Sequence, residues 1–248
     1  MKRKYRLVVA YDGTQFSGWQ IQPNANSIQE ELQKALATIL REPIRIMGSG
    51  RTDQGVHAKG QVAHFEIDHC LDQERVLLSL NGILPKDIRV KLLEPAPLDF
   101  HACYSAKTKI YHYHLWLEPV IDPILHRYRL HMRKPIDLKL IQKASGYFIG
   151  VKDFTTFANL RGPGILYKNA VRNLKRLDLI FEEGGVRLEF EGEGFLYKMV
   201  RNIVGVLLEV GQKRRPVKSI EALFKAKNRR EIGMPAPAHA LFLQKVIY

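Results

Sequence analysis

Lys107-Thr108-Lys109-Ile110-Tyr111-His112-Tyr113-His114-Leu115-Trp116-Leu117 alternates in character from residue to residue. Tyr111, Tyr113, Leu115 and Leu117 fall on one side, and Ile110, His112, His114 and Trp116 on the other. A period of two is the repeat of a pleated strand, so this run predicts one. Tyr111 and Tyr113 read as half-buried strand residues, although an aromatic face beside a basic groove can also stack a nucleobase. His112 and His114 have a spacing that zinc ligands use. No cysteine pair or acidic cluster nearby in the sequence completes such a site, and no metal is expected.

Upstream of this strand, Lys4 to Ala10, Ile44 to Met47, Gln61 to Ile67 and Ile88 to Leu93 read as strands. Ser27-Ile28-Gln29-Glu30 is a capping box, in which Ser27 accepts from a backbone N–H and Glu30 reaches back. Apolar residues then recur at Ile28, Leu32, Ala35, Leu36, Ile39 and Leu40, one helix face, and Pro43 follows. Gln73 to Leu80 reads as a second helix, and the glycine-rich segment 48 to 60 as a loop. Downstream, Leu138 to Ile149 reads as a helix capped by Asp137. Val171 to Ile180 and Val186 to Glu191 flank Glu182-Glu183-Gly184-Gly185, a hairpin signal. Phe195 to Val210 predicts a buried helix, Val217 to Lys227 a surface helix, and Leu241 to Ile247 a last strand. Strands with intervening helices in both halves predict an α+β chain, with subdomains at 1–105 and 106–248 joined around Asp99 to Ala106.

At 248 residues, 46% hydrophobic and 26% charged, the composition is that of a globular protein. No apolar run approaches the about 20 residues that span a bilayer. No apolar segment of signal-peptide length follows Met1-Lys2-Arg3-Lys4. Cys70 and Cys103 form no CxxC pair, and a reduced, cytoplasmic protein is expected. The net charge of +14 is uneven. Residues 1–105 hold 13 Lys and Arg against 12 Asp and Glu, whereas residues 106–248 hold 26 against 13. Solubility does not ask for such asymmetry; a polyanion partner does, because neutralised phosphates release counterions.

Gly48-Ser49-Gly50 invites a phosphate-cradle reading, but the Gly-Lys-Ser/Thr ending of a nucleotide loop is absent. Asp53, between two glycines, could simply form an Asx turn. That leaves Arg51, Asp53 and His57 crowded in one tight loop without a reason. On the apolar helix from Phe195, Lys198 and Arg201 sit one turn apart near the start. Arg201 either snorkels to solvent or pairs with an anion such as a catalytic aspartate.

Four segments together resemble the tRNA pseudouridine synthase A (TruA-type) family. They are Tyr11-Asp12-Gly13-Thr14-Gln15-Phe16-Ser17-Gly18-Trp19-Gln20, Gly50-Arg51-Thr52-Asp53-Gln54-Gly55-Val56-His57-Ala58, the strand from Lys107 to Tyr113, and Lys198-Met199-Val200-Arg201-Asn202-Ile203-Val204-Gly205. The resemblance implies two similar α+β halves around a long mixed, mainly antiparallel sheet, with a central active-site cleft. It implies a homodimer that isomerises uridine to pseudouridine in the anticodon stem-loop of tRNA, at positions 38 to 40, without cofactor or metal. In that reading Asp53 attacks the sugar or adds to the uracil ring. Arg51 fills the space of the flipped base or holds a phosphate, Tyr111 stacks on the uracil, and Arg201 pairs with Asp53. Cys103 stands where the family usually has an arginine, which leaves one RNA contact unfilled. A non-catalytic RNA binder and a metal-dependent hydrolase are the competing readings. The first has no use for an anion in a basic site, and the second lacks acidic ligands.

Overall fold

The computed structural model describes residues 2–160 and 167–248, so Met1 of the basic N-terminal stretch lies outside it. Two compact units emerge, Met1–Lys107 with Phe242–Tyr248, and Thr108–Leu241. Both are α+β, and the described residues hold ten strands and five α-helices.

In the first unit, β1 (Arg3–Tyr11) is followed by α1 (Ile28–Leu40), β2 (Met47–Gly48), β3 (His57–Ile67), α2 (Gln73–Ile83) and β4 (Ile88–Ala96). β1 is central, antiparallel to β3 on one side and to β4 on the other. Ser27 Oγ accepts from Glu30 N at 3.3 Å, which caps α1 as its sequence predicts. The Glu30 carboxylate goes instead to Lys34 at 2.8 Å, one turn on. α1 buries Ile28, Leu32, Ala35 and Leu36, four of the expected apolar positions. The strand expected at Ile44 to Met47 shrinks to two residues, Met47 and Gly48, although Ile44 and Ile46 are buried. β3 starts four residues earlier than its alternation suggested, at His57. That stretch pairs with the C-terminal strand Leu241–Ile247, through His57 with Phe242 and Ala58 with Leu243. The pairing is parallel, and it places the last residues of the chain in the first unit rather than with the half that precedes them.

The second unit opens with β5 (Thr108–Trp116), then β6 (Leu130–His131), α3 (Leu138–Ser145), β7 (Gly150–Asp153), β8 (Val171–Glu182), β9 (Gly185–Gly192), α4 (Met199–Gly211) and α5 (Ser219–Ala226); the C-terminal strand of the first unit completes the series as β10. Its sheet runs β5-β9-β8-β7 in antiparallel pairs, with β6 parallel to β5. Tyr111, Tyr113 and Leu115 are buried and Ile110, His112, His114 and Trp116 are half-buried, as the period of two requires. The β8–β9 turn needs a glycine at Gly184, where φ is +67° and a Cβ would lie 2.1 Å from the Trp116 ring. Asp137 Oδ1 caps α3 through Leu140 N at 3.1 Å.

α4 begins at Met199, four residues later than its apolar run predicts. Lys198 takes a left-handed conformation (φ 59°), and a turn from Leu196 O to Met199 N precedes it. Lys198 is therefore the cap residue, not a partner of Arg201 within the helix. α4 buries ten of its thirteen residues, which confirms the interior helix. No helix among the described residues is long and apolar enough to cross a membrane.

Candidate active site

In the first unit, the loop between β2 and β3 presents Arg51 exposed, Asp53 half-buried and Thr52 between them buried. Its shape is imposed from outside. The segment after β1 lies against it, with Trp19 N donating to Thr52 O at 3.1 Å and Gly55 N to Phe16 O at 3.4 Å. Two glycines of that segment permit the approach. A Cβ on Gly13 would stand 2.1 Å from Val56 O, and one on Gly18 2.6 Å from Thr52 O. Gly18 also has φ +99°, a region closed to most side chains. On the other flank the Trp19 indole packs on Gly48, where a Cβ would be 2.6 Å from the ring. Inside the loop, Val56 N donates to Asp53 O at 3.1 Å and closes the turn. The Tyr11-to-Gln20 segment is thus the mould in which the Asp53 loop is cast.

His57, the third polar residue of the crowded loop, is buried at the head of β3 and stacks on Phe242 at 4.6 Å. Its Nδ1 accepts from Gly13 N at 3.0 Å. The same Nδ1 lies 3.1 Å from Asp12 Oδ1, so His57 ties two neighbouring residues of the mould to the head of β3. The turn with Cys103 is held similarly. His64 Nδ1 accepts from Ala102 N at 3.1 Å, and Cys103 itself is exposed.

In the second unit, β5 carries Tyr111 and α4 carries Arg201. The Tyr111 ring meets Phe195 edge-on, with centroids 5.0 Å apart. Arg201 Nε donates to Ala236 O at 2.7 Å, and Ala236 N donates back to Arg201 O at 3.0 Å. This reciprocal clamp aims the guanidinium. One turn on, a Cβ on Gly205 would lie 2.8 Å from Met234 O, so glycine lets the 234–237 segment press on α4. Tyr113 Oη donates to Pro237 O at 2.9 Å, tying β5 to the same segment. Burial drives the Tyr113 phenol upward in pKa, opposed by the positive field of Arg201. Asn202 is buried and donates to Phe157 O at 2.8 Å and Asn159 Oδ1 at 3.0 Å, while its Oδ1 accepts from Arg229. Arg201 and Asn202 of the α4 motif thus each hold a particular loop.

His112 and His114 face carboxylates of β9 and β8, His112 Nε2 near Glu189 at 3.4 Å and His114 Nδ1 at 2.8 Å from Glu182. Arg176 and Arg187 occupy the same Glu189 carboxylate, at 2.8 and 2.7 Å, so this is an ion-pair lattice across β5, β9 and β8. The described residues contain no group of three His, Cys, Asp or Glu arranged to hold a metal ion.

Sequence reading named Arg51 and Asp53 on the loop but assigned no work to Gly13, Gly18 and Trp19, which shape it. The positive φ of Gly18 and the close approaches of all three leave no periodic signal. The only hint was that they lie in a segment carrying the family resemblance.

A family model described as tRNA pseudouridine synthase matches residues 7–105 and 144–248, which include Asp53 and Arg201 but not Tyr111. The class so defined is that of the pseudouridine synthases, which are isomerases. The chain belongs to the tRNA pseudouridine synthase family. It is 53% identical over 245 residues to "tRNA pseudouridine synthase A 1" of Protochlamydia amoebophila (strain UWE25), covering 98% of this chain and 96% of that one. It is 44% identical over 245 residues to "tRNA pseudouridine synthase A" of Chlamydia felis (strain Fe/C-56), covering 98% and 90%. With the protein of that name from Limosilactobacillus reuteri (strain DSM 20016), identity is 41% over 250 residues, covering 99% and 96%.

Proposed function

We propose that this chain isomerises uridine to pseudouridine in the anticodon stem-loop of tRNA, at positions 38 to 40, with Asp53 as its catalytic carboxylate. The observation that carries the reading is the Asp53 loop. Its backbone is fixed by the Tyr11-to-Gln20 segment while Arg51 and Asp53 stay accessible. A loop so held can present a carboxylate to a reacting sugar or base at one geometry.

The reaction breaks the bond from C1′ to N1, turns the uracil, and joins C1′ to C5. C5 loses its proton and N1 gains one, so the balance needs no oxidant or reductant. Asp53 either bonds to C1′ or adds to the ring while the base turns. The target base leaves its helical stack first, and Arg51 takes up its space or holds the adjacent phosphate. Tyr111 stacks on the uracil. In this reading Arg201 is the counter-ion of Asp53. The Lys- and Arg-rich second half, 26 such residues against 13 acidic ones in 106–248, supplies the field for the tRNA backbone. The reading places a homodimer on tRNA in the cytoplasm, without metal or cofactor.

The test is tritium release from tRNA labelled at uridine C5. Asp53→Asn should abolish release while filter binding of the same tRNA persists. Turnover by Asp53→Asn near the wild-type rate would remove Asp53 from the reaction.

A further inference from the structure

Beneath the Asp53 loop lies a set of polar side chains that no feature of the reaction requires. Ser49, Thr52, Tyr11 and Gln61 are each more than nine-tenths buried. Ser49 Oγ donates to Gln61 Oε1 at 2.7 Å, and Gln61 Nε2 donates to Gly50 O at 2.9 Å. The Gly50 carbonyl can only accept, so the orientation of the Gln61 amide is decided. Gln61 also lies by the Tyr11 hydroxyl, where it opposes the upward push that burial gives the phenol. Tyr11 Oη lies 2.8 Å from Thr52 Oγ1. Burial raises the Tyr11 phenol and keeps it protonated, and the Tyr11 and Thr52 hydroxyls share one hydrogen bond.

We propose that Tyr11 and Gln61 are positioning residues for catalysis: through Ser49, Gly50 and Thr52 they hold, from the strand side, the loop that presents Asp53. The inference rests on the assignment of Asp53 above. The set ties three positions of the loop to two buried side chains on neighbouring strands, Tyr11 on β1 and Gln61 on β3. Three anchor points, at 49, 50 and 52, flank Arg51 and end one residue short of Asp53. The other face of the loop rests on Gly13, Gly18 and Trp19, where glycines allow contact but supply no side-chain hydrogen bonds. Side-chain hydrogen bonds to the 49–52 stretch therefore come from the Tyr11 and Gln61 side, and add to the backbone bonds from Trp19 and Phe16. Removing one member leaves a buried donor or acceptor unmatched, and the loop relaxes to satisfy it.

Tritium release and tRNA binding on the intact protein test this. Tyr11→Phe and the near-isosteric Thr52→Val should lower kcat about 10-fold or more while KM and tRNA affinity stay within about 2-fold, since a misplaced carboxylate costs rate rather than binding. Thr52→Ser, which keeps the hydroxyl, should recover most of the rate lost in Thr52→Val. Equal kcat in wild type, Tyr11→Phe and Thr52→Val would overturn the proposal. So would a loss in Thr52→Val that Thr52→Ser shares. If Tyr11→Phe does not fold, the Thr52 pair decides. An inactive Asp53→Asn beside a fully active Tyr11→Phe defeats only the positioning role, whereas an active Asp53→Asn defeats the assignment on which it rests.

Discussion

Replacing Gly18 with alanine probes the contact between the mould and the Asp53 loop. Two costs add. Gly18 has φ +99°, and an L side chain at positive φ costs about 1–2 kcal/mol. The new Cβ would also stand 2.6 Å from Thr52 O and 3.1 Å from the Asp53 carbonyl carbon. Both are backbone atoms, so no side chain can swing away. An ordinary contact begins near 3.4 Å, and Thr52 O must retreat by about 0.8 Å. Such crowding costs about 1–3 kcal/mol. Together, roughly 2–5 kcal/mol lowers the melting temperature by roughly 5–15 °C in a chain of this size. The displacement falls on the residue before Asp53, where a misplacement near 1 Å is worth on the order of 100-fold in rate. Gly18→Ala should therefore melt early and, below its transition, release tritium on the order of 10- to 100-fold more slowly. Gly82→Ala is the control. It lies in α2 with nothing within 4 Å of the added atom, and should be neutral or stabilise by up to about 1 kcal/mol. A Gly18→Ala protein with wild-type melting and kcat would refute the claim that the 11–20 segment shapes the loop.

Burial, with the charges of His101 and Lys4 nearby, holds His64 down at about 4, against an ordinary 6.5. The unfolded chain therefore binds the proton more readily, and the stabilisation is full above pH 6.5 and is lost as pH falls toward 4. Melting temperature across that window should drop more steeply in the wild type than in His64→Gln, and parallel slopes would exclude His64 as the cause. On the charged side, tRNA affinity should fall steeply as salt rises, and Cys103→Arg should steepen the log–log slope by about 1 while tightening binding at low salt. Affinity indifferent to salt would count against a phosphate-binding field, and an unchanged slope in Cys103→Arg would place that turn away from the RNA.

Local pattern made much of the chain legible. The Ser27 cap and its apolar recurrence specify α1, because a helix face repeats within one segment and needs no distant partner. The alternation around Tyr111 specifies β5 and its two faces, since the pleat sets them residue by residue, but Tyr111 and Tyr113, expected half-buried, are buried. The hairpin at Gly184 is legible for the same reason. Asp53, Arg51, Tyr111 and Arg201 were named from motifs, and the structure shows how each is seated. What tertiary structure alone decided depends on pairs of segments far apart. β3 gains its first residues from a strand nearly 200 positions away, and the chain's end joins the first unit through that pairing. α4 loses its first turn to the left-handed Lys198, a conformation that apolar periodicity cannot register. The mould of Gly13, Gly18 and Trp19, and the buried set of Tyr11, Gln61, Ser49 and Thr52, are invisible to pattern as well. A polar residue in a sequence looks solvent-facing, and only packing shows that its hydrogen bonds are made inside.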